Sequence, residues 1–198
     1  DPVIDFEVTP NRPDWLGVNS IARDLAAVGL GKLITPPTNL TPPKFETDQK
    51  IRVDDTEGCP AFVGRHIRGV KNGPSPKWLQ DQLKAIGLRP ISALVDITNY
   101  ITYDRARPLH FYDMSKLTGS IVVRRGKDEK FEALDDRTYT APADDVVIAD
   151  ESGILGLGGI VGGEDSSCDE NTTDILIESA FFDPLTIRRS AKRLGVNS

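Results

Sequence analysis

The sequence predicts an α+β fold, with short, mostly antiparallel strands in packed sheets and helices at the periphery. Short runs of alternating or β-branched apolar residues fill the stretch from 121 to 178, separated by turn residues. Patterns of helical period lie before and after this stretch and do not alternate with single strands, which argues against a βαβ layout. At 198 residues the chain is long enough to bury a core without disulfides or metals.

The N-terminal part is predicted to be mainly helical. Residues 4–8 alternate as a short strand, and Asp14 is placed to cap a helix over residues 15–28 that ends at Gly29. Residues 36–60 contain five prolines and few periodic apolar positions, which is typical of a connector, with a strand at 51–53. We therefore expect one module with a helical part at 1–35, a connector at 36–60 and an α+β core at 61–198.

Residues 62–70 alternate as a strand. A helix should follow, with Ser75 as its cap, Pro76 at its first position and Gly87 as its end. Its apolar face should carry Trp78, Leu79, Leu83 and Ile86.

Residues 92–103 leave two alternatives open, because their β-branched content favours a strand and their apolar spacing favours a helix. The remaining elements are strands at 121–124, 131–134, 137–140, 146–149, 154–161 and 175–178, and a helix at 184–194.

Composition limits the function classes. A net charge of −6 argues against a surface that grips nucleic acid along its whole length, so any such contact must be local. The two cysteines form no CxxC pair, as expected for thiols in a reducing compartment. No signal-like start and no run of about 18 apolar residues is present, so we expect a cytoplasmic protein without membrane contact. The first residue is not Met, and we expect a fragment of a longer chain.

One short segment brings together a hydroxyl, an amide and an imidazole, at Thr98, Asn99 and His110. A Thr-Asn pair is usually a cap or turn, and a lone histidine is more often packed than functional. Taken alone, this segment leaves the structural and the functional interpretations equally open.

Two further features are ambiguous by themselves. The glycine-rich stretch 153–163 lacks both phosphate-binding loop patterns, so Gly158 and Gly159 indicate a close approach by backbone or by a ligand. Glu178 lies in a strongly apolar run, where a carboxylate either faces solvent, the commoner case, or is held inside for a purpose.

Four motifs resolve these alternatives when they are considered together: Thr9–Asp14, Gly73–Leu79, Gly87–Ile91 and Glu178–Phe182. They occur in the order found in the beta subunit of bacterial phenylalanyl-tRNA synthetase. The chain resembles the editing module formed by the third and fourth domains of that family, over residues 1–198. The resemblance implies the tRNA-editing domain fold and favours the helix at 92–103, with the turn before His110 returning it toward Thr98 and Asn99.

The resemblance also implies roles for single residues. Glu178 matches the glutamate that recognises the phenolic hydroxyl of a misattached tyrosine, and Gly158 and Gly159 match the wall of the editing pocket. Ala180 lies on the same strand face as Glu178, where a small residue leaves room for the ring. Such a pocket is needed because a site built for phenylalanine rejects an added hydroxyl by only roughly a hundredfold.

The implied reaction is hydrolysis of the ester that joins tyrosine to the 3′ end of tRNA(Phe). The sequence offers no convincing nucleophile and no metal-binding cluster, so we expect positional catalysis. In this hypothesis His110 and Asn99 orient the water and the aminoacyl group, and Thr98 and the backbone of Gly158 and Gly159 donate hydrogen bonds. His110 acting as a general base is the less secure alternative.

The same resemblance implies no cofactor in this chain, while ATP and magnesium belong to the parent synthetase. The implied partners are the 3′ end of tRNA(Phe) carrying tyrosine and the alpha subunit, reached through the rest of the beta subunit in a heterotetramer. Many relatives have Ala-Phe where this chain has Phe111 and Tyr112, which bears on specificity more than on activity.

Two alternatives remain. One is a non-catalytic structural or tRNA-binding module with a vestigial pocket. The other is a free-standing domain that hydrolyses mischarged tRNA in trans or binds a free aromatic amino acid.

Overall fold

The computed structural model describes residues 3–9, 11–35, 37 and 40–196. It confirms the predicted α+β class. The chain forms two compact units, each made from two separate stretches: residues 1–46 with 73–109, and residues 47–72 with 110–198. Pro10 of the first family motif and Pro36 of the predicted connector lie outside the described residues.

The first unit is helical in its described part. It contains a 3-10 helix and three α-helices: Pro13–Leu16, α1 (Val18–Ala27), α2 (Lys77–Ala85) and α3 (Ala93–Arg105). The existence of α3 settles the ambiguity over residues 92–103 in favour of the helix. Of the predicted apolar face of α2, Leu79 and Leu83 are buried, whereas Trp78 and Ile86 are exposed.

Three local predictions in this unit are wrong. Residues 4–8 form no strand, since no ladder partner pairs with them in the described part of the chain. Asp14 does not cap α1, because its carboxylate is held by Arg12 and Arg23. Ser75 does not cap α2, because its hydroxyl donates to the fully buried carboxylate of Asp96.

The second unit holds the strands: β1 (Ile51–Val53), β2 (Ala61–Arg68), β3 (His110–Asp113), β4 (Ile121–Arg125), β5 (Glu129–Glu132), β6 (Thr138–Ala141), β7 (Val146–Ala149), β8 (Ile154–Leu157), β9 (Val161–Gly162) and β10 (Asp174–Phe181). A 3-10 helix at Met114–Lys116 follows β3, and α4 spans Pro184–Leu194.

Two sheets dominate this unit. The larger has the order β1-β4-β7-β8-β9, and the smaller has the order β2-β10-β3. Apart from the parallel pair β1–β4, the ladders are antiparallel, as predicted. The sheets face each other, since a Cβ built at Gly64 on β2 would lie 2.2 Å from Cδ1 of Ile51 on β1. The apolar core between them includes residues of both sheets, among them Tyr112, Ile121 and Leu176.

Two strand predictions differ from the structure. The single strand expected at 154–161 is a hairpin of β8 and β9, whose turn at residues 158–160 includes Gly159 in the left-handed region at φ +66°. The strand β3 was not predicted at all, because its four residues, His-Phe-Tyr-Asp, show no alternation of apolar and polar side chains.

Candidate functional site

The predicted acceptor, Glu178, lies in the middle of the smaller sheet. On β10 it pairs with His110 on β3 and with Gly64 on β2. Because side chains alternate along a strand, Glu178 shares a face with Leu176 and Ala180, both of which belong to the apolar core. Glu178 is only 7% exposed, so the inward interpretation of this carboxylate is confirmed and the solvent-facing one is wrong.

Tyr112 is the hydrogen-bond partner of Glu178. It lies two residues after His110 on β3, so both side chains point to the same face as Glu178. The Tyr112 hydroxyl donates to Oε2 of Glu178, and among the residues that the structure describes it is the one side chain that does so. Tyr112 is 1% exposed. The acceptor is therefore held by a neutral phenol and not by a cation.

Burial dominates the electrostatics of this pair. Desolvation raises the pKa of Glu178 to about 7, and the hydrogen bond from Tyr112 opposes that rise. Burial and the charge of Glu178 raise the pKa of the Tyr112 phenol well above its ordinary value. At neutral pH the phenol is a donor, and a large fraction of Glu178 is an ionised acceptor with further lone pairs.

His110 lies directly opposite Glu178 and is held by two contacts. Its ring stacks edge-on against Tyr112 with centroids 4.5 Å apart, and a Cβ built at Gly162 on β9 would lie 2.3 Å from its Cε1. Its Nε2 atom is buried without a hydrogen-bond partner in the described part of the chain. Burial lowers the pKa of His110 to about 4, so the imidazole is neutral at pH 7 and offers one donor and one acceptor.

The glycine pair packs against a side chain of this same chain. A Cβ built at Gly158 would lie 2.6 Å from Cε1 of Phe182, and one at Gly159 would lie 3.2 Å from Cδ2 of that ring. Phe182 continues the alternation of Glu178 and Ala180 just past the end of β10. Because Gly158 and Gly159 have no side chains, the ring of Phe182 fits beside the face that carries Glu178.

Thr98 and Asn99 lie on α3, in the other unit, so their placement beside His110 stays a prediction. The Thr98 hydroxyl donates to the backbone oxygen of Val95 at 2.7 Å, a common bond within helices. Within the second unit, His110, Glu178 and Ala180 lie on one face of the smaller sheet, and the glycine pair contacts Phe182. Sequence reasoning missed Tyr112, although its spacing of two residues from His110 was the available signal.

The surroundings limit the chemistry that this site can perform. Cys59 is fully buried, and burial together with the charge of Glu178 raises the pKa of its thiol to about 11, so it stays protonated. No group of three or more metal-ligating side chains exists among the described residues. The site consists of a carboxylate acceptor and a neutral imidazole in apolar surroundings, a combination suited to recognising a polar group on an aromatic molecule.

A groove of about 450 Å³ exists in the first unit. Mostly apolar residues of α1 and of the segment after it line the groove, together with the polar residues Asn19, Lys32, Asp104 and Arg105. None of the residues predicted for the functional site lies in it.

Comparison with known proteins supplies the family. The model of the B3/4 domain family matches residues 58–198. The chain belongs to the B3/4 domain family. It is 57% identical over 197 residues to the phenylalanine–tRNA ligase beta subunit of Mesorhizobium japonicum, and 55% identical over 199 residues to that of Bradyrhizobium diazoefficiens. These matches cover 99% and 100% of this chain but only 25% of each relative, so the chain spans about a quarter of their length.

A solved structure supports the fold. An N-terminal fragment of the phenylalanyl-tRNA synthetase beta subunit from Pyrococcus horikoshii superposes with a TM-score of 0.51 over 92% of this chain and 58% of that one, at 17% identity. That structure shows the fold, and the family resemblance that the motifs predicted is confirmed by the sequence relatives named as phenylalanine–tRNA ligase beta subunits. None of the helices in the described part of the chain has the length and apolar character needed to span a membrane.

Proposed function

We propose that this chain is the editing module of a phenylalanyl-tRNA synthetase beta subunit and hydrolyses tyrosine from mischarged tRNA(Phe). One observation supports this most strongly. Glu178 is a buried carboxylate in apolar surroundings, and its partner among the described residues is a phenol, the same group that distinguishes tyrosine from phenylalanine.

Selection follows from the cost of leaving the acceptor unpaired. The hydroxyl of a bound tyrosine donates to Glu178, and a hydrogen bond to a charged group contributes about 1.5–3 kcal/mol. Phenylalanine has no donor, so its ring would cover a desolvated carboxylate and leave the oxygen that Tyr112 does not bond unsatisfied. The editing site thereby prefers tyrosine, whereas the aminoacylation site of the synthetase prefers phenylalanine, and phenylalanyl-tRNA(Phe) is not hydrolysed.

Hydrolysis requires a water molecule held at the ester carbon. His110 is proposed to hold that water, because its buried Nε2 has no partner in the described residues and its ring is fixed by Tyr112 and Gly162. A pKa of about 4 makes the imidazole a weak base, which favours positioning over proton abstraction.

Further groups are proposed to act on the ester itself. Asn99 orients the aminoacyl group, and Thr98 with the backbone of Gly158 and Gly159 supplies donors to the developing oxyanion.

The wider context is part of the same proposal. The relatives are named as ligase beta subunits, which supports a parent enzyme that uses ATP and magnesium, pairs with an alpha subunit in a heterotetramer and works in the cytoplasm. The direct partner of this chain is the 3′ end of tRNA(Phe) carrying tyrosine.

Deacylation by the full synthetase tests the proposal. We expect Glu178→Ala to lose its preference for tyrosyl-tRNA(Phe) over phenylalanyl-tRNA(Phe), with aminoacylation intact. Glu170→Ala is the matched control, since Glu170 is an exposed carboxylate of the same unit. His110→Ala should lower hydrolysis of the tyrosyl ester. Full tyrosine-selective hydrolysis by Glu178→Ala would contradict the proposal.

A second candidate is favoured by one observation. Tyr112 already fills one oxygen of Glu178, as it would in a vestigial pocket of a purely structural module. Under that alternative the wild-type synthetase itself would fail to hydrolyse tyrosyl-tRNA(Phe), so the same assay separates the two functions.

A further inference from the structure

A tyrosine of the chain itself lies inside a site proposed to select tyrosine. The ring of Tyr112 is fully buried in the core between the sheets, and its hydroxyl donates to Oε2 of Glu178. Its ladder partner on β10 is Leu176, and His110 stacks against it from two residues away. Nothing in the family resemblance assigns this residue a role.

We propose that Tyr112 is a positioning residue of the editing site, whose hydroxyl holds one oxygen of Glu178 so that the other oxygen accepts the hydroxyl of the substrate tyrosine. This inference rests on the proposed function, since it specifies how the same acceptor is presented.

Geometry makes Tyr112 a fixed neighbour and not a removable plug. Its place in the β3–β10 ladder and its packing among core residues prevent the ring from leaving without repacking both sheets. An ionised carboxylate has about four acceptor sites on two oxygens, and Tyr112 uses one of them. Two phenols, one internal and one from the substrate, are therefore compatible with a single carboxylate.

The surroundings of Glu178 show what this donor adds in this chain. The titratable groups that face it are Tyr112 and His110 from β3, Cys59 from the segment before β2, and His66 from β2 beside Leu176. The larger sheet presents apolar residues, such as Ile148 and Leu155.

With no cation to stabilise the charge in these described surroundings, the Tyr112 hydroxyl is the group that keeps Glu178 ionised and oriented. Its removal would raise the pKa of Glu178 further and convert much of the acceptor to a neutral acid at pH 7.

The test uses the full synthetase with Tyr112→Phe, and Tyr139→Phe as the control. Tyr139 is a buried tyrosine of the same unit whose hydroxyl donates to Asp135, so the control also loses one phenol–carboxylate hydrogen bond. The readouts are kcat and KM for deacylation of tyrosyl-tRNA(Phe) from pH 6 to pH 9. Phenylalanyl-tRNA(Phe) is the second substrate.

We expect Tyr112→Phe to raise KM for tyrosyl-tRNA(Phe) about tenfold at pH 7, the size of one hydrogen bond to a charged group. The kcat value should change little, and KM should return toward the wild-type value above pH 8 as Glu178 ionises. The control should keep the wild-type profile.

An unchanged pH profile and KM would overturn the inference, as would a lower KM, which would make Tyr112 an obstruction. If Tyr112→Phe does not assemble, 3-fluorotyrosine at position 112 replaces it, because this isostere is a stronger donor. The pH below which KM for tyrosyl-tRNA(Phe) rises should then move to a lower value. An unchanged pH profile in that variant would overturn the inference. Failure of the proposed function is distinguishable, since the wild-type enzyme would then lack tyrosine-selective hydrolysis.

Discussion

Two buried carboxylates of the same unit are satisfied in opposite ways. Asp145, just before β7, is 1% exposed and binds the guanidinium of Arg193 and the hydroxyl of Ser190, both on α4. Glu178 is 7% exposed and has the neutral phenol of Tyr112 as its partner among the described side chains. The first carboxylate is neutralised by a charge, and the second is not.

The comparison separates a structural role from a functional one. A buried carboxylate paired with a cation and a hydroxyl has little acceptor capacity to offer, and here it joins α4 to the larger sheet. A buried carboxylate without a cation is costly to keep ionised, and it retains acceptor sites for a ligand. We expect the first to matter for stability and the second for selectivity.

Breaking the Asp145 pair should give the largest stability effect. Arg193→Ala leaves Asp145 buried with only Ser190, which resembles the situation of Glu178. We expect the free energy of unfolding of the 198-residue chain to fall by about 3 kcal/mol in urea titrations at pH 7. Arg193→Lys should recover part of that loss. A loss below about 1 kcal/mol would show that Asp145 needs no cation.

Removing the charge at Glu178 should instead increase the free energy of unfolding at high pH. The pKa of Glu178 is about 7 in the folded chain and 4.5 ordinarily, so the contribution of Glu178 to the free energy of unfolding falls as pH rises from 4.5 to 7 and is level above. Glu178→Gln does not titrate. The free energy of unfolding of Glu178→Gln should therefore rise relative to that of wild type by up to about 3 kcal/mol between pH 4.5 and pH 8. Exposed Glu170→Gln should show no such trend.

His110 should give the opposite pH dependence. Its pKa is about 4 in the folded chain and 6.5 ordinarily, so the contribution of His110 to the free energy of unfolding falls as pH drops from 6.5 toward 4. As pH drops through that window, the free energy of unfolding of His110→Asn should rise relative to that of wild type. Above pH 7 the difference between the two should be constant. Urea unfolding from pH 4 to pH 8 measures both trends. A flat difference for His110→Asn would mean that the ring is solvated.

Displacing His110 should give the smallest effect. Gly162→Ala puts a Cβ 2.3 Å from His110 Cε1, so the ring must shift. Such overpacking typically costs about 1–3 kcal/mol. Gly58→Ala is the control, since its Cβ would meet Asp55 and Val146 instead. Both variants should lose stability, but only Gly162→Ala should slow tyrosyl-tRNA(Phe) hydrolysis per folded molecule. Equal rates of tyrosyl-tRNA(Phe) hydrolysis in the two variants would show that His110 takes no part in the reaction.

Elements with local signals were predictable from sequence. The helix at Pro184–Leu194 has Asp183 as its N-cap, proline at its first position and Gly195 in the left-handed conformation after it, so all its determinants lie within a few residues. The strand at Val146–Ala149 is a run of β-branched and apolar residues that is buried throughout. Ser75 was misassigned as a cap because its actual partner, Asp96, is distant in sequence.

The candidate site was only partly predictable for the same reason. The inward direction of Glu178 cannot be read from residues 174–181, because both faces of that strand carry apolar residues. Family resemblance supplied Glu178 and His110 as candidates, but the hydrogen bond from Tyr112 joins residues 66 positions apart. Such a contact depends on the register of β3 against β10, and no local pattern encodes that register.

The most direct test of Glu178 as a selector of phenols is a binding measurement. Calorimetry on the full synthetase would compare non-hydrolysable, amide-linked 3′-tyrosyl-adenosine with its phenylalanyl counterpart. We expect the tyrosyl compound to bind about 10- to 150-fold more tightly, the equivalent of about 1.5–3 kcal/mol, and Glu178→Gln to remove most of that difference. Equal affinities in the wild-type enzyme, or a preference that survives Glu178→Gln, would contradict the role of Glu178 as the acceptor.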